Sequence, residues 1–226
     1  GSANGYLSRY QTGSRVIAYE YDSTDGNRVT KTINTGSRSI TEYTYDSLNR
    51  LLSESYSKYT GYLNPRTGTH SSDYTESQLS VTSYTYNNYG LVTKVETEDL
   101  SVTPHLKTKA TSAYATGSSS HIFGVKESET DSLGNTTRYF YDTNNGRLNA
   151  VTNPGGDGVC YDYDGMGNLR EVLPASYTTG PNYSQISGSA DVVYGYDQTT
   201  KRLSTITTHP SATQTTVYSF TYDGFG

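Results

Sequence analysis

The stretch Tyr139-Phe140-Tyr141-Asp142-Thr143-Asn144-Asn145-Gly146-Arg147-Leu148 decides the fold. Its two tyrosines are two residues apart, so in a strand they point to one face. The aspartate closes the strand, because its carboxylate can accept a backbone N–H two residues on. Gly146 suits a positive φ. Leu148 then opens a second β-prone run, Leu148–Thr152, which ends in the turn residues Asn153-Pro154-Gly155-Gly156-Asp157-Gly158. Val159–Tyr163 follows, and the whole reads as a β-hairpin. The same reading pairs Val29–Ile33 with Ser39–Tyr45 around Asn34-Thr35-Gly36. It also pairs Leu203–Thr208 with Thr216–Tyr222 around His209-Pro210.

The motif recurs along the chain. Tyr19, Tyr21 and Asp22 form one copy, and Tyr43, Tyr45 and Asp46 the next, followed by Asn49-Arg50-Leu51. Tyr84 and Tyr86 are followed by Asn87 in place of aspartate. After the Asp142 copy come Tyr161, Tyr163 and Asp164 with Gly167-Asn168-Leu169. Tyr194, Tyr196 and Asp197 precede Lys201-Arg202-Leu203, which lacks the glycine, and Phe220-Thr221-Tyr222-Asp223 is the last copy. The second tyrosines are 22–33 residues apart except for gaps of 41 and 55. The gap of 55 hides a decayed unit around Tyr114, and the gap of 41 is one unit with a loop insertion. Long loops are expected at Ser57–Ser77, Asp99–Ser120 and Pro174–Ala190, which are rich in Ser, Thr, Gly and Pro.

Composition agrees with an all-β chain. The 226 residues have a mean hydropathy of -0.70 yet hold 24 Tyr and 4 Phe, far from the aromatic-poor make-up of disordered segments. Tyr and Thr favour a pleated, half-buried surface. The net charge of -5 is spread along the chain with no Lys/Arg cluster, which argues against nucleic acid as a partner. No apolar run is long enough to span a membrane. One cysteine, Cys160, excludes an internal disulfide and reads as a small packed side chain. Gly1-Ser2 reads as a tag scar and Gly226 as a stop in mid-motif, so the expectation is a single repeat-array segment over 1–226.

The pattern Tyr-x-Tyr-Asp-x-x-Gly-Arg-Leu resembles the YD/Rhs repeat family, and the resemblance runs from about Tyr19 to Gly226. Asp131-Ser132-Leu133-Gly134-Asn135 also looks like the turn segment of that family. The resemblance implies consecutive antiparallel hairpins in a curved or spiralling sheet, part of the wall of a shell. In family members such shells enclose a C-terminal toxin domain or present it at the cell surface. A secreted or bacterial cell-surface location is implied, with the rest of its own polypeptide as partner. The self-cleaving core segment of the family has no counterpart in these residues, so the implied role is shell wall and not payload. The repeat-motif residues carry structure, and neither a catalytic residue, a cofactor nor a metal ligand is expected.

Other constellations are weaker. His70, His105, His121 and His209 are scattered, and no metalloprotease or nucleophile-elbow motif is present. Asp157, Asp162 and Asp164 before Gly165 form a faint calcium pattern without EF-hand spacing. The competing function is a glycan-binding cell-surface adhesin segment, with tyrosine faces stacking on sugars. Asn135-Thr136-Thr137 and Asn182-Tyr183-Ser184 match the glycosylation pattern. The terminal strands, lacking dedicated caps, are expected to pair edge to edge in isolation.

Overall fold

The computed structural model describes residues 9–23, 28–116, 123–178, 183–186, 190–211 and 213–223. His121, Asn182, Gly1, Ser2 and Gly226, singled out above, lie outside them. The described residues form seventeen strands and no helix. No helix therefore crosses a membrane, a statement that does not extend to β-barrels. Every ladder is antiparallel.

The chain divides into two compact units, Gly1–Thr111 and Ser112–Gly226. The first holds β1 (Arg9–Thr12), β2 (Arg15–Tyr21), β3 (Val29–Asn34), β4 (Ser39–Tyr45), β5 (Leu51–Thr60), β6 (Thr75–Tyr86), β7 (Val92–Asp99) and most of β8 (Leu106–Tyr114). Each strand pairs with the next, β1 to β8, as a meander. The second unit holds β9 (Lys126–Thr130), β10 (Thr136–Tyr141), β11 (Leu148–Thr152), β12 (Asp157–Tyr163), β13 (Leu169–Tyr177), β14 (Tyr183–Gln185), β15 (Val192–Tyr196), β16 (Leu203–Ser211) and β17 (Gln214–Ser219). It is also a meander, except that β13 pairs with β14 at one end and β15 at the other.

Each unit buries one short apolar row running across its strands. In the first, Ala18 faces Ile33 and Ile33 faces Ile40, with Tyr59 and Leu63 completing the cluster. In the second, Phe140, Ala150, Cys160 and Leu173 stand opposite one another across four strands, and Ala175 and Ala190 close the cluster. Register decides this: a slip of one residue would turn each row to the other face.

The hairpin at Leu148–Tyr163 forms as read, although Asp157 and Gly158 belong to the strand and not to the turn. Three expected loops are shorter than read. β5 and β6 reach Thr60 and Thr75, so the connection is 61–74. β8, nine residues long, lies inside the second expected loop, and β13 runs through Pro174 to Tyr177. His209 and Pro210 lie in β16.

Candidate functional site: the Tyr–Asp repeat junction

The motif aspartates tie the turns. Asp46 accepts Leu48 N–H (2.8 Å) and Arg50 N–H (2.9 Å) on one carboxylate oxygen and Arg50 Nε (2.6 Å) on the other. Asp164 accepts Met166 N–H, Asn168 N–H and the Asn168 side-chain amide, each at 2.9 Å. Asp131 binds Leu133 and Asn135 in the same way. Asn87 keeps the two backbone bonds, from Tyr89 and Leu91 at 3.0 Å, because its amide oxygen accepts as a carboxylate does. Asp142 and Asp197 head turns one residue longer. Asp142 accepts Asn144 N–H and the Asn145 amide, and Asp197 accepts Thr199 and Thr200.

The second residue before the strand restarts is left-handed in every such turn. Asn49 has φ 63, Gly90 81, Gly134 86, Gly146 75, Gly167 92 and Lys201 59. Five of these turns each join a tyrosine strand antiparallel to the strand after it, and the Asp131 turn joins β9 to β10. At the second tyrosine the ladder shifts register, at Tyr21, Tyr45, Tyr86, Tyr141, Tyr163 and Tyr196 alike. The partner strand bulges there by one residue.

The second tyrosine reaches across to the preceding repeat. Tyr45 donates its hydroxyl to Val29 O (2.8 Å), Tyr86 to Leu51 O (2.8 Å) and Tyr163 to Leu148 O (2.8 Å). Tyr196 does the same to Leu169 O (2.9 Å) and Tyr222 to Leu203 O (2.7 Å). The acceptor is the residue that opens the earlier strand. At four of these junctions the arginine just before the acceptor lies on the same phenol ring. Arg28 is 5.4 Å from the Tyr45 centroid, Arg50 4.6 Å from Tyr86, Arg147 5.6 Å from Tyr163 and Arg202 5.3 Å from Tyr222. Arg50 also donates to Asn87 O (3.4 Å), in the turn of the next repeat. One tyrosine thus takes both the Arg and the Leu of the preceding Arg-Leu pair.

The first tyrosine packs within its own hairpin: Tyr84 stands opposite Val95, Tyr139 opposite Val151, Tyr161 opposite Val172 and Tyr194 opposite Ile206. Tyr19 faces Thr32 and Tyr43 faces Glu54. Sequence reasoning missed the hydroxyl bond and the arginine stack. A signal was present: the second position is Tyr in all seven copies, whereas the first is Phe at Phe220. Only a hydroxyl requirement separates those two residue types.

Electrostatics follow from these bonds. The Arg50 backbone N–H holds Asp46 below its ordinary value, and the side-chain amides of Asn135 and Asn168 do so for Asp131 and Asp164. Thr200 N–H lowers Asp197. Burial pushes Tyr45, Tyr141, Tyr163 and Tyr196 upward. Burial also raises the Cys160 thiol, which sits in the apolar row and disfavours its thiolate.

The scattered candidates have separate surroundings. His70 stacks on Tyr74 at 4.6 Å, His105 contacts Glu98 at 3.2 Å, and the His209 N–H bonds Asp191 O. Asp162 pairs with Arg170, whereas Asp164 serves its turn. Among the described residues no group of three or more His, Cys, Asp or Glu could hold a metal.

Comparison with known proteins adds a family. Residues 126–157, from β9 into β12, match the RHS Repeat model. This chain carries an RHS repeat. The match begins in the decayed unit and takes in the Asp131 and Asp142 turns. No curated protein matches this chain. Among solved structures, it is similar to the crystal structure of TcdB2-TccC3-TEV, with a TM-score of 0.48, 19% identity and 93% of this chain covered. It is similar to TcdB2-TccC3-Cdc42 at a TM-score of 0.46, 14% identity and 92% coverage. The Photorhabdus luminescens Tc holotoxin pore with mutation TccC3-D651A gives 0.41, 17% and 92%. The chain spans 11%, 14% and 9% of those three chains.

Proposed function

We propose that this RHS-repeat chain is structural: a length of shell wall, with no enzymatic role of its own, whose repeats in both units belong to one array. One observation carries the reading. The chemically active-looking residues of the motif, Tyr, Asp and Arg, are consumed in joining one repeat to the next. The motif aspartates are held as ionised acceptors by turn N–H groups, the opposite of a carboxyl tuned for proton transfer near neutral pH. In the whole polypeptide such a wall would enclose a toxin domain, or present it at a bacterial cell surface.

Limited proteolysis of the complete parent polypeptide tests this reading. The expected result is that a domain outside the repeats resists protease until the array itself is cut. Digestion of that domain at the rate it shows when expressed alone would contradict enclosure. Loss of a measurable activity of this chain on Asp142→Ala, with the fold intact, would contradict the non-enzymatic role.

A further inference from the structure

We propose that the first unit docks on an anionic lipid bilayer through one rim of its ladder, with Arg15, Arg38, Lys58 and Arg66 on the lipid headgroups and Tyr10 and Tyr62 among them. The rim follows from the topology. Successive strands alternate in direction, so the β1–β2 turn Gly13-Ser14, the β3–β4 turn Thr35–Arg38 and the β5–β6 connection 61–74 leave from one end. The Asp22, Asp46 and Asn87 turns leave from the other. β7 ends at Asp99, opposite Ser80, so its turn to β8 is set back from this rim. The repeat junctions lie at the opposite end, and the proposal does not depend on the scaffold reading.

The cations of this rim are exposed, and among the described residues none of the four is in an ion pair. Arg28, Lys31, Arg50, Lys94 and Lys107 of the same unit each have a carboxylate. Neither of the first two turns contains an acid, and Asp73, the acid of the 61–74 connection, accepts the Ser71 hydroxyl. In a chain of net charge -5, unpaired cations thus stand at one end of the strands and turn-bound aspartates at the other. The turns are also built onto one another. A Cβ on Gly36 would lie 3.0 Å from Arg15 Cγ and 3.1 Å from Cδ, so the glycine lets the Arg15 stem cross onto the neighbouring turn. Lys58 donates to Ser37 O at 2.7 Å, which uses one of its three N–H groups. Arg38 holds a left-handed φ of 50, where Gly or Asn would be less strained.

Two features favour a bilayer over an acidic polypeptide. Tyr10 is 54% and Tyr62 62% exposed at the same end as the cations, and amphipathic rings of this kind settle at the headgroup level of a membrane. The cations are spread over three turns separated by small residues, Gly13, Ser14, Thr35, Gly36 and Ser37, so several headgroups can approach at once. The arginine forks match phosphate and carboxylate in two-point geometry. Each basic side chain near an anionic surface strengthens attachment by about fivefold.

Co-sedimentation of the whole chain with phosphatidylcholine vesicles containing about 30% phosphatidylserine tests the proposal, with pure phosphatidylcholine vesicles as comparison. The expected result is binding to the anionic vesicles alone, weakened about fivefold by each of Arg15→Gln, Arg38→Gln and Lys58→Gln and released by about 0.5 M salt. Lys94→Gln removes the same charge from a paired lysine of β7 and should leave binding within about twofold. The chain has no tryptophan, so Tyr10→Trp supplies a single reporter, whose emission should shift to the blue on anionic vesicles. Thermal melts well above the assay temperature will show that the variants fold. No binding to the anionic vesicles would overturn the proposal. So would an equal loss with Lys94→Gln, or an unshifted Tyr10→Trp emission, since either would mean charge attraction without docking of this rim. Release of the bound chain by a polyglutamate peptide at matched charge would also overturn it, by making an acidic polypeptide the partner.

Discussion

At the residue scale the repeat rests on hydroxyl, carboxylate and guanidinium groups with fixed partners. Tyr163→Phe deletes one hydroxyl and leaves Leu148 O without its donor. The expected cost is about 0.5–1.5 kcal/mol, measured by denaturant unfolding; no loss would mean that water replaces the bond freely. The shifted groups also set the pH profile. The aspartates Asp46, Asp131, Asp164 and Asp197 have lowered values in the fold, so their contribution is present above the unfolded value near 4 and is lost as pH falls through the folded values. The tyrosines Tyr45, Tyr141, Tyr163 and Tyr196 have raised values, so theirs is fully present below about 10 and is lost as pH rises through the folded values. A plot of Tm against pH should be flat between about 5 and 9 and fall on both sides. A step near pH 6.5 would point to a histidine that the junctions do not use.

At the element scale the left-handed turn position gives two predictions of opposite sign. Gly167 has φ 92, and a Cβ there would also meet the Arg147 guanidinium. Gly167→Ala should destabilise by roughly 1–2 kcal/mol. Lys201 occupies the equivalent position at φ 59, so Lys201→Gly should stabilise by about 0.5–1 kcal/mol, measured by the same unfolding curves. These turns were legible in the sequence because Tyr, Asp and Gly announce them chemically, and Asp131-Ser132-Leu133-Gly134-Asn135 forms the turn its residues suggest. What was illegible had no such signal. β8 lacks apolar alternation and its first four residues are exposed; its lysines are set against β7 acids, Lys107 opposite Glu98 and Lys109 opposite Glu96. Pro210 sits where the β16–β17 register shifts, the place where a strand tolerates a residue without N–H. The hydroxyl and arginine junctions were hidden because they join residues 15–36 apart, a separation set by the register of the ladder and not by local chemistry.

At the scale of the whole molecule, stability in an array is a sum of unit terms and nearest-neighbour terms. Among the described residues β17 pairs only with β16, and its six residues are all exposed, Val217 at 56% and Tyr218 at 55%. A free ladder edge with apolar side chains recruits another strand. Light scattering should therefore show association that grows with concentration and is suppressed by Val217→Lys; a monomer at every concentration would mean that the edge is protected. The central claim concerns the nearest-neighbour term, the hand-over from each Arg-Leu pair to the next tyrosine. It is measured most directly by a double-mutant cycle on Arg50→Ala and Tyr86→Leu in the intact chain, read by denaturant unfolding. The account predicts a coupling of roughly 0.5–1 kcal/mol between these two residues of successive repeats. Additivity within about 0.3 kcal/mol would contradict it, leaving the backbone ladder and the turns to hold the repeats together.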